Sequence, residues 1–147
     1  MKSVIIGAGT YGEVYLAYLQ EAGIEIVGFL DDDPRYINQK VCGIPVLGGL
    51  DFLACLKDEY DVKAVYCPLG NNKLRVEILN RALGLGYEVP NFIHSTVDIS
   101  PNVEIGKGVY ILLGTHIMPY TKIKNFVMIS MGVNVAHHSI LHEGTFL

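Results

Sequence analysis

The chain has 147 residues, half of them hydrophobic, with a net charge of −4 and no basic cluster. That is enough to bury one core or two small ones, and it excludes the cationic surface that a nucleic-acid partner requires. No apolar run reaches the roughly 20 residues of a membrane span, so membrane insertion is excluded as well.

In chain order, Ser3 to Ile6 is a β-branched run that predicts a strand and ends in Gly7-Ala8-Gly9-Thr10-Tyr11-Gly12. Because Met1-Lys2-Ser3 leads straight into this run, no secretory leader is expected. Glu13 to Ala22 follows as a helix whose apolar residues Val14, Leu16, Ala17 and Leu19 suit packing on a sheet. Ile24 to Leu30 is the second predicted strand and ends in Asp31-Asp32-Asp33-Pro34. A hairpin-like stretch from Val41 to Leu47, a helix from Leu50 to Lys57 and a third strand from Val62 to Cys67 come next. Pro68-Leu69-Gly70-Asn71-Asn72 then leads into a helix from Lys73 to Leu85. Strands alternating with helices favour an α/β unit with a parallel sheet. Cys42, Cys55 and Cys67 lie in apolar runs without metal-ligand spacing, which predicts buried free thiols and a reducing cytoplasm.

A Gly-x-Gly-x-x-Gly turn between strand and helix lets backbone amides and a helix N-terminus approach a phosphate, because no side chain blocks the way. Asp31 closes the next strand, where a carboxylate can accept hydrogen bonds from ribose or base, and Gly70-Asn71 follows the third strand on the same carboxyl edge. The same glycines also suit a tight turn without ligand, and Asp31 to Asp33 a solvated loop; spacing alone leaves both readings open. NAD needs two mononucleotide halves and the segment before Ile93 supplies about one, so a single nucleotide is the expected ligand. Gly7, Gly9, Thr10, Tyr11, Gly12, Asp31, Asp32, Gly70 and Asn71 are its predicted contacts.

From Ile93 the chain repeats every six residues. Ile93, Ile99, Ile105, Ile111, Ile117, Ile123, Ile129, Val135, Leu141 and Leu147 form an aliphatic series. Four residues after each of the first nine stands a β-branched or small side chain: Val97, Val103, Val109, Thr115, Thr121, Val127, Val133, Ser139 and Thr145. A period of six fits neither a helix nor an alternating strand and predicts a left-handed parallel β-helix with three faces and eighteen residues per coil. Leu112, Met118, Phe126 and Met128 fall off the inward series, where a neighbouring subunit could cover them. The expected organisation is a Rossmann-like half domain over residues 1–90 and a β-helix over 91–147.

Taken together, Gly7-Ala8-Gly9, Gly28-Phe29-Leu30-Asp31-Asp32-Asp33-Pro34, Gly43-Ile44-Pro45-Val46-Leu47-Gly48, Gly70-Asn71-Asn72-Lys73-Leu74-Arg75 and the hexads resemble one bacterial family. It comprises the PglD-like nucleotide-sugar N-acetyltransferases and the related NeuD-like sialic acid O-acetyltransferases. The resemblance spans essentially the whole chain. It implies acetyl-CoA as co-substrate, a nucleotide-sugar bound by the amino-terminal domain with Arg75 among its contacts, and a homotrimer holding acetyl-CoA between neighbouring β-helices. A uridine-type sugar nucleotide is the expected ligand. Members of this type continue for several more coils, so the β-helix here is expected to be incomplete, and this stretch alone is expected to show little activity.

The resemblance also places the family's catalytic histidine on His137, within Ile129-Ser130-Met131-Gly132-Val133-Asn134-Val135-Ala136-His137. A neutral imidazole there could take the proton of an attacking sugar amine. The carboxylate that follows the histidine in the family is replaced by His138, Ser130 stands for an asparagine, and Glu143, one hexad on, could substitute for the missing acid. Solvated corner residues remain the plain alternative for His137 and His138. A nucleotide-binding module without catalysis is a second reading. His137 and His142 also have the spacing of γ-class carbonic anhydrases, whose zinc site needs a further histidine two coils earlier; that position is Pro101, so no metal is expected.

Overall fold

The computed structural model describes residues 1–147. They form two compact units, Met1–Gly70 with Glu77–Val89, and Asn71–Val76 with Pro90–Leu147. The fold is α/β, a Rossmann-like sheet unit and a left-handed parallel β-helix.

The sheet contains β1 (Lys2–Ile6), β2 (Glu25–Leu30), β3 (Lys40–Val41), β4 (Ile44–Gly48) and β5 (Ala64–Tyr66), in the order β3-β4-β2-β1-β5. All neighbours run parallel except β3, which pairs antiparallel with β4 and makes the expected hairpin; β4 also extends the parallel sheet beside β2. Both faces of such a sheet are covered, which is why Val4, Ile5, Ile6, Phe29, Leu30 and Val65 form continuous apolar runs and are buried. The chain passes from β1 to β2 through α1 (Thr10–Glu21) and reaches β5 through a 3₁₀ turn at Leu50–Ala54 and α2 (Leu56–Tyr60). Since β2 and β5 flank β1 on opposite sides, the strand order reverses at β1 and opens a crevice at its carboxyl end.

Several local expectations change. Helix α1 starts three residues earlier than its apolar pattern suggested, with Gly9 at its N-cap, and buries Gly12, Tyr15, Leu16 and Leu19 while Val14 and Ala17 face solvent. Tyr15 hides its ring in the core, a role that a scan for aliphatic residues overlooks. In place of the single helix expected from Leu50 to Lys57, the chain forms the 3₁₀ turn Leu50–Ala54 and then α2, with Leu53 and Leu56 both buried. Of the three thiols only Cys67 is buried; Cys55 is exposed, and Cys42 is exposed in the left-handed turn of the hairpin with φ +50°.

The β-helix is built of two-residue strands. They are β6 (Phe92–Ile93), β7 (Asp98–Ile99), β8 (Glu104–Ile105), β9 (Tyr110–Ile111), β10 (His116–Ile117), β11 (Lys122–Ile123), β12 (Met128–Ile129), β13 (Asn134–Val135) and β14 (Ile140–Leu141). They stack into three parallel sheets, β6-β9-β12, β7-β10-β13 and β8-β11-β14. Each residue pairs with the one eighteen positions on, as His116 does with Asp98 and Asn134. Val109, Ile111, Ile117, Ile123, Val127, Ile129 and Val135 form the core, and each such burial contributes about 1.5–3 kcal/mol. Thr115 and Thr121, fully buried at inward positions, satisfy their hydroxyls on the carbonyls of Ser130 and Ala136 at 2.9 and 3.1 Å.

The corners need left-handed backbone, which explains positive φ at Asn102, Tyr120 and His138 along one edge and at Gly108, Phe126 and Gly144 along the next. Leu112, Phe126 and Met128 are already buried within one chain, so they offer nothing to a neighbour. Met118, at 42% exposure, is the one residue of that group that remains open; Tyr120, Met131 and Ile140 are exposed large hydrophobic side chains of the central and last coils.

Helix α3 (Asn72–Gly84) begins in the β-helix unit and continues in the sheet unit. Asn71 caps it, its Oδ1 accepting from the Leu74 amide at 3.0 Å.

Candidate functional site

The turn after β1 sits at the carboxyl edge of the sheet, where the Gly7 amide continues the ladder by donating to the Leu30 carbonyl at 2.8 Å. Its three glycines act differently. Gly7 has φ +97°, and a Cβ there would strike the Leu69 side chain. A Cβ on Gly12 would lie 2.0 Å from the Gly7 carbonyl oxygen and 3.3 Å from Phe29, so this glycine lets α1 close on the turn. A Cβ on Gly9 would meet nothing within 4 Å, and its φ of −77° suits any residue. Packing within the chain therefore explains Gly7 and Gly12, whereas the space beside Gly9 is open. Gly12→Ala is expected to destabilise the protein by about 3 kcal/mol, since helix and turn must part. Gly9→Ala should leave the melting temperature unchanged while weakening nucleotide binding. Thermal melts and calorimetry on the pair check this, and equal melting temperatures for both variants would refute the division of roles.

Asp31, at the end of β2, holds the turn: Oδ2 accepts from the Ala8 amide at 2.9 Å and Oδ1 from the Asp33 amide at 2.8 Å. Each oxygen keeps a second lone pair for a ligand. Asp32 accepts from the Leu50 amide at 2.8 Å and lies over Gly49. Asp33 caps the short 3₁₀ turn Pro34–Tyr36, and the Arg35 guanidinium hydrogen-bonded to it at 2.7 Å holds its carboxyl below the ordinary range. A cavity of about 200 Å³ beside Asp31 and Asp32 is lined by Ile37, Asn38, Val46, Leu47, Gly48 and Gly49. Asn38 and Gly49 were not singled out from sequence, although Gly48-Gly49 after an apolar strand is a signal that marks Gly49. Thr10 and Tyr11 are exposed at the start of α1, and Gly70 is exposed after β5.

Arg75 differs from its expected role. It is fully buried, and its guanidinium donates to the carbonyls of Phe126 at 3.2 Å and Gly144 at 2.8 Å and to Asn72 Oδ1 at 3.0 Å. It fastens the first turn of α3 to one edge of the β-helix and is not presented to a ligand. The Asn71 side chain is likewise engaged as a helix cap.

On the β-helix, His137 and His138 are exposed at the corner between the β7-β10-β13 and β8-β11-β14 faces, with their Nδ1 atoms 2.9 Å apart. The His138 ring stacks on Tyr120, with centroids 5.1 Å apart. An open groove of about 480 Å³ there is lined by Asn102, Val103, Glu104, Tyr120, Lys122 and His138. Asn102, Tyr120 and His138 are spaced by one coil of eighteen residues, so the periodicity itself could have gathered them. Glu143 stands at the following corner, beside His142 in a separate groove of about 490 Å³ with Glu104, Lys122, Lys124 and Asn125. One face of the β-helix separates it from His137, and the ring that His137 meets is that of His138.

Known proteins share this fold. PerB from Caulobacter crescentus, solved with CoA and GDP-perosamine, is 28% identical with a TM-score of 0.89, over 99% of this chain and 68% of that one. The acetyltransferase domain of PglB from Neisseria gonorrhoeae FA1090, solved with acetyl coenzyme A, is 28% identical with a TM-score of 0.86, over 99% of this chain and 69% of that one. Uncharacterized protein L142 of Acanthamoeba polyphaga mimivirus is 31% identical over 112 residues, 76% of this chain; the chain spans 21% of the length of that curated relative. With the family model for the PglD N-terminal domain matched over residues 2–82, more than half of its length, the chain belongs to the PglD N-terminal domain family.

Proposed function

We propose that this protein moves the acetyl group of acetyl-CoA to the amine, or the hydroxyl, of a nucleotide-linked or sialic-acid-type sugar. The observation that carries the reading is the exposed His137 imidazole, held at one ring nitrogen, on the β-helix of a chain alike over its whole length to an acetyltransferase domain that binds acetyl coenzyme A. The amine nitrogen attacks the thioester carbonyl, its proton passes to His137, and CoA leaves as the thiol when that proton is returned to sulfur. No covalent enzyme intermediate is needed.

The sheet unit, residues 1–90 by sequence, binds the nucleotide-sugar at the carboxyl edge of β1. The unobstructed Gly9, the exposed Thr10 and Tyr11, and the spare lone pairs of Asp31 support this. Binding of GDP-perosamine by PerB supports a sugar nucleotide over NAD. Asp32 and Gly70 border the same edge. The assembly is a homotrimer in the cytoplasm, its contacts drawn from the exposed Met118, Tyr120, Met131 and Ile140. No helix is long and apolar enough to cross a membrane.

Calorimetry of the full-length protein with UDP- and GDP-linked amino sugars and with NADH, followed by an assay of CoA thiol release, tests the reading. Binding of a sugar nucleotide with thiol release, by a particle that light scattering sizes as a trimer, is the expected result. Tight NADH binding with no response to either sugar nucleotide would overturn it.

A further inference from the structure

His137 and His138 are consecutive in the chain, yet their rings meet edge to face, 5.2 Å between centroids and 88° between planes. With the two Nδ1 atoms 2.9 Å apart, a single proton lies between them, so one ring donates and the other accepts. His138 is fixed from two sides. Its backbone holds φ +59° and its amide donates to the Pro119 carbonyl at 3.1 Å, while its ring lies on Tyr120 from the preceding coil at a 26° interplanar angle.

We propose that His138 is a positioning residue for His137: its unprotonated Nδ1 accepts from the Nδ1–H of His137 and so places the His137 lone pair on Nε2. This rests on the reading of His137 as the base. The reverse arrangement puts a hydrogen on Nε2 of His137, and that atom could then take no proton. Once His137 has accepted a proton both its nitrogens carry hydrogen, and only an unprotonated Nδ1 of His138 can face it at this distance. One arrangement thus serves before and after transfer. The proton leaving the sugar amine goes to Nε2 of His137, the hydrogen on its Nδ1 stays in place, and His138 keeps its Nε2–H throughout. Such constancy lowers the reorganisation that accompanies proton transfer.

Two substitutions separate the role from simple support of the corner. In His138→Asn, Oδ1 branches from Cγ as Nδ1 does, can accept the same hydrogen, and asparagine tolerates a left-handed φ. In His138→Gly the acceptor is gone and the backbone is unstrained. Long-range ¹⁵N–¹H NMR on the full-length protein at alkaline pH should show the hydrogen of His137 on Nδ1 in the parent and in His138→Asn, but not in His138→Gly. In the acetylation assay His138→Asn should keep most of kcat, whereas His138→Gly should lose about 10- to 100-fold in kcat, the scale on which partners orienting a functional imidazole act, with KM little changed. A hydrogen on Nε2 of His137, or an unchanged His137 spectrum in His138→Gly, overturns the proposal even where His137→Ala abolishes transfer. Intact transfer in His137→Ala overturns the catalytic reading and this role together, whatever the tautomer.

Discussion

Replacing His137 with alanine in the full-length protein is expected to lower kcat/KM for acetyl transfer by about 10² to 10⁴, the usual contribution of a positioned general base. The amine nucleophile carries a proton that must leave as the nitrogen attacks, and without an imidazole the acceptor is water. His137 is exposed and lies outside the β-helix core, so the variant should melt with the parent. Sugar-nucleotide binding, assigned to the sheet unit, should be nearly unchanged. The three readouts are acetylation at saturating acetyl-CoA, calorimetry and a thermal melt. A full rate in the variant removes His137 from the mechanism, and joint loss of rate and melting temperature makes it structural.

For Arg75→Ala the expected loss is in stability, about 3 kcal/mol or more, because each of its two hydrogen bonds to buried backbone carbonyls is charge-assisted and contributes about 1.5–3 kcal/mol. The cost of burying the guanidinium, relieved in the variant, keeps the loss below the simple sum. Arg75→Lys should recover little, since a single ammonium cannot take the place of a planar fork whose three nitrogens reach Phe126, Gly144 and Asn72. Urea unfolding followed by circular dichroism measures both. A loss under about 0.5 kcal/mol in Arg75→Ala, the range of ordinary surface substitutions, would mean that the observed bonds do not hold the helix start in solution.

Periodicity made most of the architecture legible. The six-residue series announced the β-helix because a fixed repeat constrains every side chain in it, and the glycine turn announced the strand and helix around it. What escaped depended on contacts far apart in the chain. Arg75, in the predicted helix and by resemblance a nucleotide-sugar contact, turns out to be a buried staple only through the positions of Phe126 and Gly144, 51 and 69 residues away. Leu112, Phe126 and Met128 read as surface because they are off the inward phase, while the folded chain buries them. Tyr15 was missed for the opposite reason, an amphipathic side chain placed wholly inside. At the candidate site both histidines were visible as types and positions, but the contact between their rings was not, because neighbours in sequence usually point apart. At position 138 the backbone is left-handed, and the two rings meet there.

The division of the chain into Met1–Gly70 with Glu77–Val89 and Asn71–Val76 with Pro90–Leu147 means that no single cut separates the two units. A break at residue 90 would leave the β-helix without the six residues that carry its buried arginine, and would leave the sheet unit with a helix whose first turn had lost its partners. Shuffling or grafting of either unit therefore has to carry the opening turn of α3 along with the β-helix, as an interlaced pair of segments rather than two beads on a string.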